Sequence, residues 1–180
     1  MNNKKLVYDG ILFKVYQWEQ EMFDGTKETF ERAVRRPSVQ LLVVKDSKLL
    51  IYEEEQPSKG KFLSLPGGMV EWEESFEDAG KRELLEETGL TGKFKFFMEQ
   101  DFAKTLEWKT KYYVVSNIKK IQDPKPDNGE KISPKFVSLD EFFELSQRSD
   151  FRNKFFANFL KLKKLENGLE QFKVDVLGSK

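Results

Sequence analysis

The chain contains no histidine and no cysteine in 180 residues. Without them there is no Ser-His-Asp or Cys-His nucleophilic machinery, no CxxC redox pair, no disulfide framework and no zinc finger. A metal held by this chain must be held by oxygen. Oxygen-only sites suit Mg²⁺, Mn²⁺ or Ca²⁺, and acid–base work falls to carboxylates, Lys, Tyr or water. An excess of either charge is also missing: 31 Lys plus Arg stand against 31 Asp plus Glu. That balance argues against a general nucleic-acid binder, whose phosphate affinity comes from a basic surplus. No apolar stretch approaches the roughly 18 residues of a membrane span, and Met1 to Lys5 leads into no signal-peptide core, so a cytoplasmic, membrane-free protein is expected.

What is present is material for a core. The 38% apolar residues, 17 Phe among them, suit one globular domain with a small appendage. Leu6 to Val34 is strand-like, with Ile11, Phe13 and Val15 alternating with Leu12, Lys14 and Tyr16 before an Asp24-Gly25 turn, and predicts a small antiparallel unit over residues 1–36 that must pack on the main body or on another subunit. After Pro37, Val39 to Val44 reads as a buried strand joined through Lys45 to Lys48 to Leu49 to Glu53. Phe62 to Leu65 precedes a Pro66-Gly67-Gly68 break, and Ser75 to Thr88 predicts a helix with a capping-box start and Gly89 at its end. Strands are expected at Lys93 to Phe102, Lys111 to Val115 and Phe136 to Ser138. Helices are expected at Leu139 to Leu145 and Phe151 to Leu165, closing a main domain over 37–166. Residues 167–180 read as a polar, loose tail.

The chemistry concentrates between Gly68 and Leu90. On a helix advancing 100° per residue, Glu83, Glu86 and Glu87 stand at i, i+3 and i+4, within an arc of roughly 100°. They repel one another, and a divalent cation between them is the natural compensation. Gly67 and Gly68 let the backbone come close and turn a carbonyl toward that face. Two or three carboxylates, a carbonyl and waters make an open Mg²⁺ site with positions left for phosphate oxygens. Arg82 is placed to pair with a glutamate and hold its rotamer.

Gly68, five residues, Glu74, seven residues, then Arg82-Glu83-Leu84-Leu85-Glu86-Glu87-Thr88-Gly89-Leu90 resembles the signature of the Nudix hydrolases at every defining position. Such a match arises by chance on the order of once in a million chains of this kind. The resemblance implies an α/β fold, a three-layer αβα sandwich around a mixed sheet, and Mg²⁺-dependent hydrolysis of a nucleoside diphosphate linked to another group, with Mn²⁺ as a substitute. Carried over by position, it implies Glu83 and Glu87 as principal metal ligands, Glu86 as a further ligand or water-orienting group, the Gly67 carbonyl as a ligand, and Glu74 and Arg82 as braces.

The N-terminal antiparallel unit followed by Arg35-Arg36-Pro37 and a hydrophobic strand further resembles the ADP-ribose and nucleotide-sugar pyrophosphatase branch, whose N-terminal sheets exchange across a homodimer. That resemblance places Glu130 where a loop glutamate helps activate the attacking water. It leaves Arg35 and Arg36 as candidate phosphate or base contacts and Trp72, inside the catalytic loop, as the aromatic most suited to stack a nucleobase. Two features depart from the branch: Tyr52 to Gln56 lacks an arginine, and Thr91 to Asp101 lacks a proline. A MutT-like nucleoside triphosphate pyrophosphohydrolase and a non-catalytic nucleotide-binding regulator therefore stand as alternatives.

Overall fold

The structure, a computed structural model, describes residues 4–103, 106–126 and 129–178. It opens with an antiparallel meander, β1 (Lys5–Asp9), β2 (Phe13–Glu21) and β3 (Lys27–Arg35). The β2–β3 turn is set by Gly25 at φ 83° and by Asp24, whose carboxylate accepts from the Thr26 N–H and hydroxyl at 3.0 and 2.7 Å. Next come β4 (Ser38–Lys45), β5 (Lys48–Gln56), β6 (Gly60–Ser64), α1 (Phe76–Thr88), β7 (Leu90–Ala103), β8 (Leu106–Lys120) and β9 (Lys131–Val137). Three helices close the chain: α2 (Leu139–Ser146), α3 (Lys154–Leu165) and α4 (Leu169–Leu177).

The nine strands form one mixed sheet in the order β1-β2-β3-β8-β4-β5-β6, with β7 also on β8 and β9 also on β5. Long β8 organises it, running parallel to both β3 and β4 and antiparallel to β7. Alternation along the central strands sorts side chains to two faces. Leu41, Val43, Leu50, Tyr52, Tyr113 and Val115 pack with Ala79 and Leu84 of α1; Leu42, Leu49, Ile51, Tyr112 and Val114 pack with Phe142, Phe156, Leu160, Phe172 and Val176 of the other helices. A sheet covered on both faces by helices is the expected three-layer arrangement.

The tail is not loose. Residues Leu169–Leu177 form α4, with Phe172 and Val176 buried one turn apart against Phe97, Phe156 and Phe159. Few apolar residues suffice here because they share one helical face, which the polar average of the tail conceals. Other boundaries move too: α3 starts at Lys154, after Phe151 has bridged to Leu63, while β7, β8 and β9 begin earlier than the apolar pattern alone predicts, and β8 runs on to Lys120. Among the described residues no helix is long and apolar enough to cross a membrane.

One irregularity positions the site. Asp46 and Ser47, at φ 49° and 58°, form a tight turn, yet β4 and β5 pair only beside it, at Val44↔Leu49 and Lys45↔Lys48. Beyond that the strands diverge and the Pro66–Val70 loop takes the place of a partner. The Leu41 N–H donates to Pro66 O and the Val39 N–H to Gly68 O, both at 2.9 Å.

Candidate active site

Gly67 of this loop is required by contact with backbone, and Gly68 leaves room for a side chain. Gly67 lies at φ 129°, and a Cβ there would run into the Val39 carbonyl oxygen; one on Gly68 would run into the Glu83 carboxylate. The loop thereby lies directly against α1. At the start of α1, the Ser75 hydroxyl accepts from the Asp78 N–H at 3.1 Å and donates to the Asp78 carboxylate at 2.7 Å. At its end, Gly89 in the left-handed region donates its N–H to Leu85 O at 2.8 Å. The helix is thus fixed at both ends before its carboxylates are considered.

Arg82 ties those carboxylates to the loop. Its Nε and Nη2 donate to the two oxygens of Glu74, each at 3.0 Å, and Nη2 also donates to Met69 O at 3.0 Å. Its Nη1 reaches Glu83 at 2.9 Å and Glu86 at 3.3 Å. Hydrogen bonding to Arg82 holds the Glu74 carboxyl below its ordinary value, while the same bond raises the guanidinium above its own. Glu74 also accepts the Glu71 N–H at 3.0 Å, so the brace spans loop and helix.

Glu83 and Glu87 have the opposite electrostatics. Burial pushes the Glu87 carboxyl well up, reinforced by the negative charges of Glu83 and Glu54 and only partly relieved by the Gly67 N–H, which donates to it at 3.3 Å. Burial also raises Glu83, with Arg82 pulling against it. Tyr52 Oη is buried facing Glu87, close enough to ease its charge but short of a well-aligned hydrogen bond. Burial, and then Glu87, raise the Tyr52 phenol in turn.

Sequence reasoning passed over the β5 side of this cluster. Glu54 and Gln56 are both buried; Glu54 accepts from the Ser64 hydroxyl, and Gln56 Nε2 donates to Glu54 at 3.3 Å and to Glu130 at 2.8 Å. Alternation contained the signal: Leu50, Tyr52, Glu54 and Gln56 occupy one face of β5, so two polar residues continue an inward row.

The remaining candidates make their own contacts. Arg36 is buried, donating to Val70 O at 3.3 Å and pairing with Glu71 at 2.5 Å, and so pins the β3–β4 bend to the loop. Arg35 lies 4.2 Å over the Trp108 ring, which stacks on Phe102. Trp72 is half-buried beneath the Lys14 ammonium, 4.6 Å from its ring centre.

The donor set suits a hard divalent cation. Glu83, Glu87 and Glu54 bring buried negative charge together, and the one guanidinium bonded among them is already shared by Glu74, Glu83 and Glu86. Among the described residues no three acidic side chains form a ready-made cage. Arg82 bonds Glu83 and Glu86, and the Gly67 N–H bonds Glu87.

Known proteins resemble this chain in fold and over part of its sequence. A curated ADP-ribose pyrophosphatase of Methanocaldococcus jannaschii is 51% identical over 55 residues, which are 30% of this chain and 32% of that protein, so the match spans about a third of the relative's length. A crystal structure of an ADP compounds hydrolase superposes with a TM-score of 0.68 at 22% identity, covering 92% of this chain and 93% of the other. The solution structure of the E. coli ORF135 protein gives 0.51 at 18% identity over 66% of this chain and 81% of its own. Both share the fold. The sequence profile of the NUDIX domain matches residues 33–159, from the end of β3 into α3, and the chain therefore belongs to the NUDIX family.

Proposed function

We propose that this chain hydrolyses the pyrophosphate bond of a nucleoside diphosphate joined to a second group, ADP-ribose first among the candidates, giving a nucleoside monophosphate and a sugar phosphate. The observation that carries the reading is the gathering of Glu54, Glu83 and Glu87 in a buried cluster whose charge is under-compensated, beside a glycine loop. The kinship with an ADP-ribose pyrophosphatase over 55 residues favours the substrate.

Glu83 and Glu87 are the proposed principal holders of Mg²⁺ or Mn²⁺, with Glu86 and the Gly67 carbonyl completing the set. When bound, the cation supplies Lewis acidity toward the phosphoryl oxygens. The residues of the chain supply the rest. Arg82 and Glu74 fix loop against helix, so the carboxylates keep their spacing while charge shifts at the reacting phosphorus. Glu130, whose charge is felt at Glu83, accepts the proton of the attacking water. Arg35 takes a phosphate or base edge, Trp72 offers a stacking surface, and Arg36 acts through its hold on Val70 and Glu71.

β1 is exposed along its whole length, Leu6 and Tyr8 included, and so is Phe30 of β3. Such a face is suited to a second copy, and the homodimer implied by the resemblance is part of this proposal. Sedimentation at micromolar concentration tests it; a folded monomer overturns it.

The activity is tested with ADP-ribose, nucleotide sugars and nucleoside triphosphates in Mg²⁺, products being resolved by chromatography. AMP plus ribose phosphate is expected from ADP-ribose. Pyrophosphate release from triphosphates alone would assign the MutT-like reaction instead, and tight nucleotide binding without turnover would make the chain a regulator.

A further inference from the structure

We infer that Gln56 is a positioning residue for the hydrolysis, its carboxamide clamping the loop carboxylate of Glu130 to the buried carboxylate of Glu54. The inference rests on the proposed role of Glu130 and adds the device that places it.

Gln56 is the buried last residue of β5. Both its donors and its oxygen are engaged: Nε2 donates to Glu130 Oε1 at 2.8 Å and to Glu54 Oε2 at 3.3 Å, while Oε1 accepts from the Lys59 ammonium at 2.6 Å. These neighbours fix the amide orientation, because the flipped amide would set oxygen against two carboxylates and nitrogen against an ammonium. Glu54 is held from its other oxygen by the Ser64 hydroxyl. In the β5–β9 ladder Glu55 stands opposite Lys131, so Gln56 and Glu130 are the next pair beyond the last backbone rung. The side-chain bond thus extends the ladder by one step and ties the Glu130 carboxylate to the end of β5. A neutral donor bonds the two anions directly, while the Lys59 ammonium is held on the oxygen side of the amide.

The test compares Gln56→Met, Gln56→Glu, Glu130→Gln and the Gln56→Met/Glu130→Gln double variant on the substrate the parent protein turns over best. Met keeps the length and removes the bonds; Glu keeps the shape and replaces donors by acceptors. Each Gln56 variant is expected to lower kcat about 10-fold or more with KM within about 2-fold, since a misplacement near 1 Å costs on that order. Because Gln56 acts through Glu130, the double variant should fall no more than about 3-fold below Glu130→Gln alone. A tolerated Gln56→Met, or losses that multiply in the double variant, overturns the inference. If Glu130→Gln is impaired and Gln56→Met is not, only the clamp fails; if Glu130→Gln is neutral, the proposed role of Glu130 fails and takes the clamp with it. Amide hydrogen exchange at Glu130 and Lys131 is read independently of turnover: about 10-fold faster exchange is expected in Gln56→Met, and unchanged rates overturn the clamp whatever the substrate.

Discussion

The two faces of the central sheet take similar strands and spend their burial differently. On the side of α2, α3 and α4, the rings of Phe142, Phe151, Phe156 and Phe172 are fully buried, with neighbouring aromatic centroids 5.2 to 6.4 Å apart. On the side of α1, Leu84 and Ala79 pack similarly, but the layer runs out into buried Glu54, Gln56 and Glu87. Each fully buried ring stabilises the fold by about 1.5–3 kcal/mol, whereas a buried carboxylate destabilises it unless a partner or cation offsets the lost hydration. The aromatic face holds the sheet together, and the acidic edge offsets part of that stability.

The largest effect should come from the aromatic face. Phe172→Ala is expected to cost about 3–5 kcal/mol in denaturant unfolding, while the protein that remains folded keeps kcat within about 3-fold of the parent. A large kcat loss in fully folded material would erase the distinction between the faces. From the acidic edge, Glu87→Gln is expected to lower turnover about 100-fold or more at saturating Mg²⁺, and to raise the melting temperature of the cation-free protein. Near-normal turnover would remove Glu87 from the ligand set; a lowered melting temperature would show that its charge is not a burden.

pH sharpens the same contrast. The folded state raises the Glu87 and Glu83 carboxyls above their ordinary 4.5, so their ionisation penalises folding. That penalty is absent below pH 4.5 and grows as pH rises through the folded values; cation-free stability should therefore fall across that window, and Mg²⁺ should flatten the fall. Glu74 works oppositely: its depressed carboxyl contributes stability above 4.5, lost as pH drops through the folded value. Denaturation curves in chelator and in Mg²⁺ across pH 3 to 8, on the order of the range these carboxyls span, measure both arms. The smallest change is Ser75→Ala, which removes the hydroxyl that caps α1 and should cost about 1 kcal/mol without altering metal affinity. A parallel loss of Mg²⁺ binding would mean that the start of α1 sets the ligand geometry.

How much was legible depended on range along the chain. The helix of Glu83, Glu86 and Glu87 could be read because caps, spacing and glycines act over a few residues, and Ser75 and Gly89 stand where those rules place them. The α4 helix was concealed because its two anchors, Phe172 and Val176, acquire their value from Phe97 and Phe156, distant in sequence. Arg36 looked like Arg35 in the sequence, and only the folded loop separates them, one buried against Val70 and Glu71, the other lying over Trp108.

The sequence by itself determined the chemistry available: oxygen ligands only, three glutamates on one helical face, and a glycine loop before them, since residue type and helical period are local properties. The tertiary structure decided which charges are buried, that Glu54 joins Glu83 and Glu87, and that Gln56 meets Glu130 across 74 residues. Burial and neighbouring charge depend on packing among segments far apart in the chain, and no local pattern records them.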